Sequence, residues 1–303
     1  MKPENISWTL PGKEGLTIRG LEWGKRGPVV LLHHANGMCA HTWQLVAADL
    51  ATQYHVFAID ARGHGDSGAP PAPAAYTWGA FSADLHYVAR AILKGCNQQS
   101  VRLGIGSSFG GIVTCITAAG APDLFDQIIM LDPPIHPDPE TLRLLGVEFP
   151  DQSSTRDIVT QTRKRQALWP DRAVAAEKWR SRPVFRNWQQ EAFDLYIQHG
   201  LRDLVDGVEL KCDPEVEATI FDITRHLKFL DWTGSLEVPI LIAHAADSFF
   251  PVDLHRAIAA RMKNAKVVEL DGGHMLPMEV PHKVVALIRQ FAALGSAPGQ
   301  PAG

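Results

Sequence analysis

Leu103-Gly104-Ile105-Gly106-Ser107-Ser108-Phe109-Gly110-Gly111 is the stretch on which the reading of the whole chain turns. A β-like run, Val101 to Ile105, precedes the second glycine, and a helix-like run, Ile112 to Ala119, follows the last. Gly106-Ser107-Ser108-Phe109-Gly110 fits G-x-S-x-G, a turn in which a strand passes abruptly into a helix and holds its central serine in a strained conformation. Ser108 is that serine. The flanking glycines leave room where side chains would meet the adjoining strand and helix, and a helix N-terminus favours negative charge beside the serine oxygen. A dinucleotide fingerprint, G-x-G-x-x-G from Gly104, fails because Phe109 stands where glycine is required. An isolated G-x-S-x-G also occurs in connections without chemistry, so the reading depends on a base, an acid and an oxyanion-binding loop in the right order.

The 303 residues suffice for one large α/β domain with an insertion, or for two domains of ordinary size. With 46% hydrophobic and 20% charged residues and a net charge of −4, the balance is globular and gives no reason to bind nucleic acid. Met1-Lys2-Pro3-Glu4-Asn5 lacks the apolar core of a signal peptide, and no stretch approaches the roughly 20 apolar residues of a membrane span. The expectation is a soluble, cytoplasmic protein, with a homodimer compatible with its composition. The four cysteines, Cys39, Cys96, Cys115 and Cys212, form no C-x-x-C pair and point to reduced thiols, Cys115 lying in the core.

Along the chain, Ser7 to Leu10 and Leu16 to Trp23 read as two short strands, and Pro28 to Leu32 and Tyr54 to Ile59 as strands buried on both faces. Helical spacing over Thr42 to Ala51 and Phe81 to Leu93 alternates with these and with strands at Val101 to Ile105 and Ile128 to Leu131. The alternation favours a mostly parallel sheet flanked by helices. Four prolines between Asp132 and Pro139 then mark an exit from the sheet. From Glu140 to Asp231 helical stretches occur (Thr155 to Ala167, Arg172 to Trp179, Gln189 to His199, Pro214 to Arg225) and no buried strand is evident. Residues 135–234 are therefore expected to form a helical cap on a core made of 1–134 and 235–303. The basic residues around Arg163-Lys164-Arg165 are interspersed with acids and read as solvated helix faces. The sheet resumes at Val238 to Ala243 and Lys266 to Leu270, a helix spans His282 to Leu294, and Gly295 to Gly303 has the composition of a disordered tail.

A serine hydroxyl becomes a nucleophile when a histidine takes its proton and a carboxylate orients that histidine. Asp247 follows a buried strand and His274 closes Gly272-Gly273-His274 after the next, so both should emerge at the carboxyl ends of parallel strands, the edge that carries Ser108. The order Ser, Asp, His is that of this turn's usual partners. Phe109 supplies one oxyanion N–H, and His34-Ala35-Asn36-Gly37 is the loop placed to supply the second.

On these residues the chain resembles the α/β-hydrolase fold superfamily, and within it the serine esterases and lipase-like enzymes with a helical cap. The matching features are the His34 to Gly37 loop, Asp60-Ala61-Arg62-Gly63-His64-Gly65-Asp66-Ser67-Gly68, the Ser108 turn, Pro239 to Asp247, and Gly273-His274 with Glu279 and Pro281. The resemblance implies a carboxylic ester hydrolase that needs no cofactor, acts on a small-molecule ester, and uses Ser108, Asp247 and His274. The family's usual His-Gly is His34-Ala35 here, which leaves the second oxyanion donor as Ala35 or Asn36, with Asn36 favoured. Some relatives place the acid where Asp132 stands. Ala35, Trp169, Phe185, Trp188 and Phe249 are candidate substrate contacts, although aromatics so spaced also pack small helical cores. His64 is expected to fix its own loop, and the remaining histidines show no metal-ligand spacing, so no metal is expected. Hydrolysis of a carbon–carbon bond or a lactone by the same triad is the alternative, and a non-catalytic receptor of the same fold a more distant one.

Overall fold

A computed structural model describes residues 1–12, 15–148 and 153–294. The tail expected from Gly295 onward lies outside the described residues. The sheet begins with β1 (Glu4–Thr9), β2 (Thr17–Trp23), β3 (Val29–His33), β4 (His55–Ile59), β5 (Leu103–Ser107) and β6 (Ile128–Leu131). Every residue of β3, β4, β5 and β6 is buried, which is why β3, β4 and β6 carry apolar runs without alternation. Along β3, Val29 and Leu31 join one hydrophobic cluster while Val30 and Leu32 join another, so helices cover both faces. A fully buried aliphatic side chain of this kind contributes about 1.5–3 kcal/mol.

Trp78–Cys96 and Phe109–Gly120 pack on the first face, Gln44–Leu50 and Pro281–Leu294 on the second. Local chemistry fixes their ends. Thr77 accepts a hydrogen bond from the Ala80 N–H at 3.1 Å to start Trp78–Cys96, and Asn97, at φ 54°, ends it in the left-handed region.

The chain leaves the sheet after β6 through the prolines of 133–139 and re-enters much later. Between these points lie helices Pro139–Leu145, Ser153–Arg163, Arg172–Arg180, Gln190–His199, Pro214–Arg225 and Leu230–Thr233. The insertion is not purely helical as expected, because β7 (Leu168–Trp169), β8 (Leu201–Leu204) and β9 (Gly207–Leu210) form a three-stranded antiparallel sheet in the order β7-β9-β8. These strands escape a search for buried runs because β7 has two residues and three of the four in β8 are exposed. Several basic residues of the insertion are paired: Arg163 with Glu215, Arg165 with Glu217, Arg172 with Asp203 and Arg202 with Glu209.

The main sheet closes with β10 (Ile240–Asp247) and β11 (Ala265–Gly273), giving the order β1-β2-β4-β3-β5-β6-β10-β11. β1 and β2, and β2 and β4, pair antiparallel, and every other neighbour pairs parallel. The fold is thus the mostly parallel, helix-flanked sheet that was expected, with the carboxyl ends of β3, β5, β6 and β11 on one edge. All four cysteines are free, and Cys115 is buried in helix Phe109–Gly120.

The turn at Ser108 is held by close approach. Ser108 adopts φ 51° and ψ −120°, and its N–H donates to Leu131 O at 2.8 Å. A Cβ on Gly106 would lie 2.2 Å from the Gly110 backbone, and one on Gly110 would lie 2.3 Å from His33 O. Both separations are well inside contact distance with main-chain atoms that cannot swing aside. Gly106→Ala is therefore expected to lower the melting temperature by several degrees or prevent folding, whereas Gly79→Ala, where a Cβ meets nothing within 4 Å, should be neutral or slightly stabilising. Thermal denaturation of both variants checks this, and a Gly106→Ala protein as stable as the parent would contradict the packing described.

Candidate active site

Ser108 follows β5 directly, at the N-terminus of helix Phe109–Gly120, where the strained turn presents its hydroxyl at the sheet edge. His274 follows β11, and its Nε2 lies 2.9 Å from Ser108 Oγ while its Nδ1 lies 2.7 Å from Asp132 Oδ2. A carboxylate only accepts, so the ring carries its proton on Nδ1 and turns the Nε2 lone pair to the serine hydroxyl. The hydroxyl donates to Nε2, and the pair is set for proton transfer without any change of tautomer.

Asp247, the acid expected from chain order, does not occupy this position. β10 runs on through Asp247, with an irregular register against β11 between Ala245 and Asp247, and delivers that side chain to an exposed position at the strand end. Asp132 takes the place instead, one residue beyond β6, on the strand next to the serine's own. It is fully buried, at φ 46°, with its N–H donating to Ala243 O at 2.8 Å. Oδ1 accepts from the Ala245 N–H at 3.1 Å, and Oδ2 accepts from the Ser248 hydroxyl at 2.8 Å as well as from His274. Burial alone would raise the Asp132 pKa, but the hydrogen bond and charge of His274, with help from His255 and Ala245, outweigh it and hold the group below the usual carboxylate value.

Two more histidines lie behind the acid. His255 Nε2 donates to Pro133 O at 3.0 Å, which leaves Nδ1 to accept from His244 Nδ1, also at 3.0 Å. His244 Nδ1 is 3.6 Å from Asp132 Oδ1. Asp132, His244 and His255 offer ligand atoms within 4.8 Å of one another, yet this donor and acceptor arrangement accounts for the contact between the two rings. Burial lowers the His255 pKa to about 4, so the ring is neutral at physiological pH. None of these partners carries a motif, and Ser248 was visible only as the residue after Asp247.

The loop after β3 adjoins the serine turn, since Gly110 packs against the His33 and His34 carbonyls. Among the described residues no acceptor takes the N–H of Asn36 or of Phe109. The Ala35 N–H likewise has no acceptor among the described residues, while the Gly37 N–H donates to His64 Nε2 at 3.1 Å and the Ala61 N–H to His34 Nε2 at 3.0 Å. Both imidazoles thus accept through Nε2 and donate through Nδ1, to Arg62 O and Ala35 O respectively. Burial keeps both neutral, lowering the pKa of His64 to about 4 and that of His34 well below its ordinary value. His64 therefore fixes the Asn36-Gly37 segment as well as its own loop.

Trp169, Phe185 and Trp188 are all buried. They lie in one cluster with Trp179, Phe193 and Tyr196, which also takes in Ala35, Met38, Met275 and Met278 from the loops beside the serine and histidine. Trp179 meets Trp169 edge to face and stacks on Phe185, so the aromatics form the core of the insertion and lean on the site through the smaller side chains. Phe249 is 79% exposed with its ring 5.9 Å from that of His274, and the buried Phe250 lies 6.1 Å from it.

A family model described as alpha/beta hydrolase fold matches residues 28–281. Among curated proteins, an esterase of Mycobacterium tuberculosis, Esterase Rv0045c, is 25% identical over 288 residues, covering 90% of this chain and 85% of that protein. Among solved structures, the thioesterase domain from the curacin biosynthetic pathway superposes with a TM-score of 0.75 at 23% identity, covering 96% of this chain and all of that one. E-2-(acetamidomethylene)succinate hydrolase superposes at 0.80 with 16% identity, again over 96% of this chain and all of its own. At these identities the solved structures bear on the fold alone.

His274 Nδ1 is hydrogen-bonded to Asp132 and not to Asp247, so Asp132→Asn is expected to lower turnover by several orders of magnitude and Asp247→Asn by no more than a few-fold. Steady-state kinetics on both asparagine variants check this, and a larger loss in Asp247→Asn would return the role to Asp247.

Proposed function

The chain belongs to the α/β-hydrolase fold family, and from that premise we propose that it is a carboxylic ester hydrolase acting through an acyl-enzyme intermediate. One observation carries the reading: the unbroken chain from Ser108 Oγ to His274 Nε2 at 2.9 Å and from His274 Nδ1 to Asp132 Oδ2 at 2.7 Å. Ser108 attacks the ester carbonyl as its proton passes to His274 Nε2. The ionised Asp132 stabilises the imidazolium that forms and keeps its ring in place. The Asn36 and Phe109 N–H groups receive the negative charge on the tetrahedral oxygen, which preorganised donors stabilise at little reorganisation cost. Collapse expels the alcohol with the proton from His274. A water then gives a proton to the same nitrogen, attacks the acyl carbon and releases the acid, returning Ser108 to its starting state.

Residues 135–234 serve as a cap over this edge. The apolar wall beside the serine comes from Ala35, Met38, Met275 and Met278, with Trp169, Phe185 and Trp188 behind them. Phe249 offers an exposed apolar face next to His274. Such a wall suits esters of small to medium size with an apolar acyl or alcohol part. No cofactor enters any step.

An ester panel graded by acyl length tests the proposal, together with a fluorophosphonate label located by mass spectrometry. The expected result is hydrolysis of part of the panel, labelling on Ser108, and loss of several orders of magnitude in Ser108→Ala. Ser107→Ala should keep most of the activity, because the buried Ser107 hydroxyl has no hydrogen-bond partner among the described residues. A label on Ser107, or a panel left untouched by a folded enzyme, would overturn the proposal.

A further inference from the structure

The Asn36-Gly37 segment is held from two sides, and one of them is the insertion. From the sheet side, His64 Nε2 accepts the Gly37 N–H at 3.1 Å. From the insertion, the Tyr196 hydroxyl donates to Gly37 O at 2.9 Å, and Asn36 Nδ2 donates to Glu217 O at 2.9 Å. Gly37 lies at φ 75°, and a Cβ there would stand 2.6 Å from Glu217 Oε1, so the loop backbone and the helix Pro214–Arg225 are in direct contact. The Glu217 carboxylate is in turn paired with Arg165 at 2.7 Å. Tyr196, Glu217 and Arg165 all belong to the insertion, and Tyr196 and Glu217 are buried. Gly37 thus has its N–H and its carbonyl fixed by different parts of the chain, while the residue before it is anchored by its side-chain amide. The peptide plane that carries the Asn36 N–H adjoins this anchored segment and is itself held through Ala35 O, which accepts from His34 Nδ1 at 2.8 Å and from the Met38 N–H at 3.1 Å.

We propose that Tyr196 is a positioning residue for the oxyanion-binding loop, acting with the Glu217 main-chain carbonyl, so that the insertion contributes to the chemical step as well as enclosing the substrate. The inference rests on the esterase reading and deepens it. An oxyanion donor acts only when its nitrogen lies within about 2.7–3.1 Å of the place the charged oxygen will occupy, and removing one such donor outright typically costs 10²–10³ in turnover. Loosening the loop displaces the donor without deleting it, so a smaller loss follows. Because the ground-state ester makes little use of that donor, the loss falls on kcat and spares KM.

Tyr196→Phe tests this, since it removes the hydroxyl and keeps the ring that packs on Trp179, Phe185 and Trp188. The expected result is a ten- to hundred-fold fall in kcat on every hydrolysed ester with KM within about two-fold. Affinity for an alkyl boronate, whose serine adduct carries a tetrahedral oxyanion, should fall in parallel, while affinity for the carboxylate product stays unchanged. Phe193→Leu disturbs the same cluster while keeping the Tyr196 hydroxyl and should lower the melting temperature at unchanged kcat. The positioning role is overturned if Tyr196→Phe matches the parent in kcat and boronate affinity, or if Phe193→Leu loses kcat as heavily. Should Tyr196→Phe fail to fold, Asn36→Ala keeps the N–H and removes the anchor to Glu217 O. It is expected to show the same loss confined to kcat, and an unchanged kcat there overturns the proposal. A parent protein that reacts with neither boronate nor fluorophosphonate refutes the esterase reading itself, a result distinct from a parent that reacts and a Tyr196→Phe variant that reacts equally well.

Discussion

A carboxylate with no exposed surface has to be supplied with partners or it will protonate, and the rest of the site is arranged to supply Asp132. Three donors reach its two oxygens, from Ala245, Ser248 and His274, and none of them belongs to β6, which carries it. The neighbouring carbonyl, Pro133 O, is held by His255, which steadies a turn whose first residue sits at a positive φ. Because the folded pKa of Asp132 is depressed, its contribution to stability is fully present above the pKa of the unfolded chain and is lost as pH falls through the folded value. The acid therefore joins β6, β10 and the turn after β11 in one polar unit, and any shift of β10 would be felt at His274.

That arrangement explains what was and was not legible in the residues. Ser108 and His274 sit in turns with local signatures, a glycine-flanked serine and a Gly-Gly-His, because tight turns demand particular residues. Continuous apolar runs marked β3, β4 and β6 because their strands are covered on both faces. The acid has no such signature. Asp132 and Asp247 both follow apolar runs and both lie between Ser108 and His274, so order cannot separate them. What separates them is that β10 extends to Asp247 and carries it outward, a matter of register against β11 that no single stretch encodes. The small sheet in the insertion was hidden for a related reason: short, half-exposed strands are defined by their neighbours more than by their own pattern.

The buried histidines make a further point about residue type. His34 and His64 are neutral through burial, and each offers one acceptor and one donor at fixed directions, which suits a backbone that must be tied at an N–H and at a carbonyl. In the sequence His64 reads as fixing its own loop, and the other histidines show no metal-ligand spacing. In the fold His34 and His64 connect the loop after β3 to the loop after β4, and His244 and His255 play an analogous part behind the acid.

The loop after β3 is also where the two halves of the molecule meet. Gly37 bonds to His64 through its N–H and to Tyr196 through its carbonyl, so the position of this segment is a compromise between the sheet and the insertion. Glycine at 37 is what permits that compromise, since both its positive φ and the nearby Glu217 carboxylate exclude a side chain. A division into a core that does chemistry and an insertion that selects substrates is then too simple for this chain. The aromatic cluster that includes Tyr196 also takes in Ala35, Met38, Met275 and Met278. In the proposed mechanism a substrate that moved these side chains would also bear on the residue that holds the loop, and selectivity and turnover would be linked through one hydroxyl.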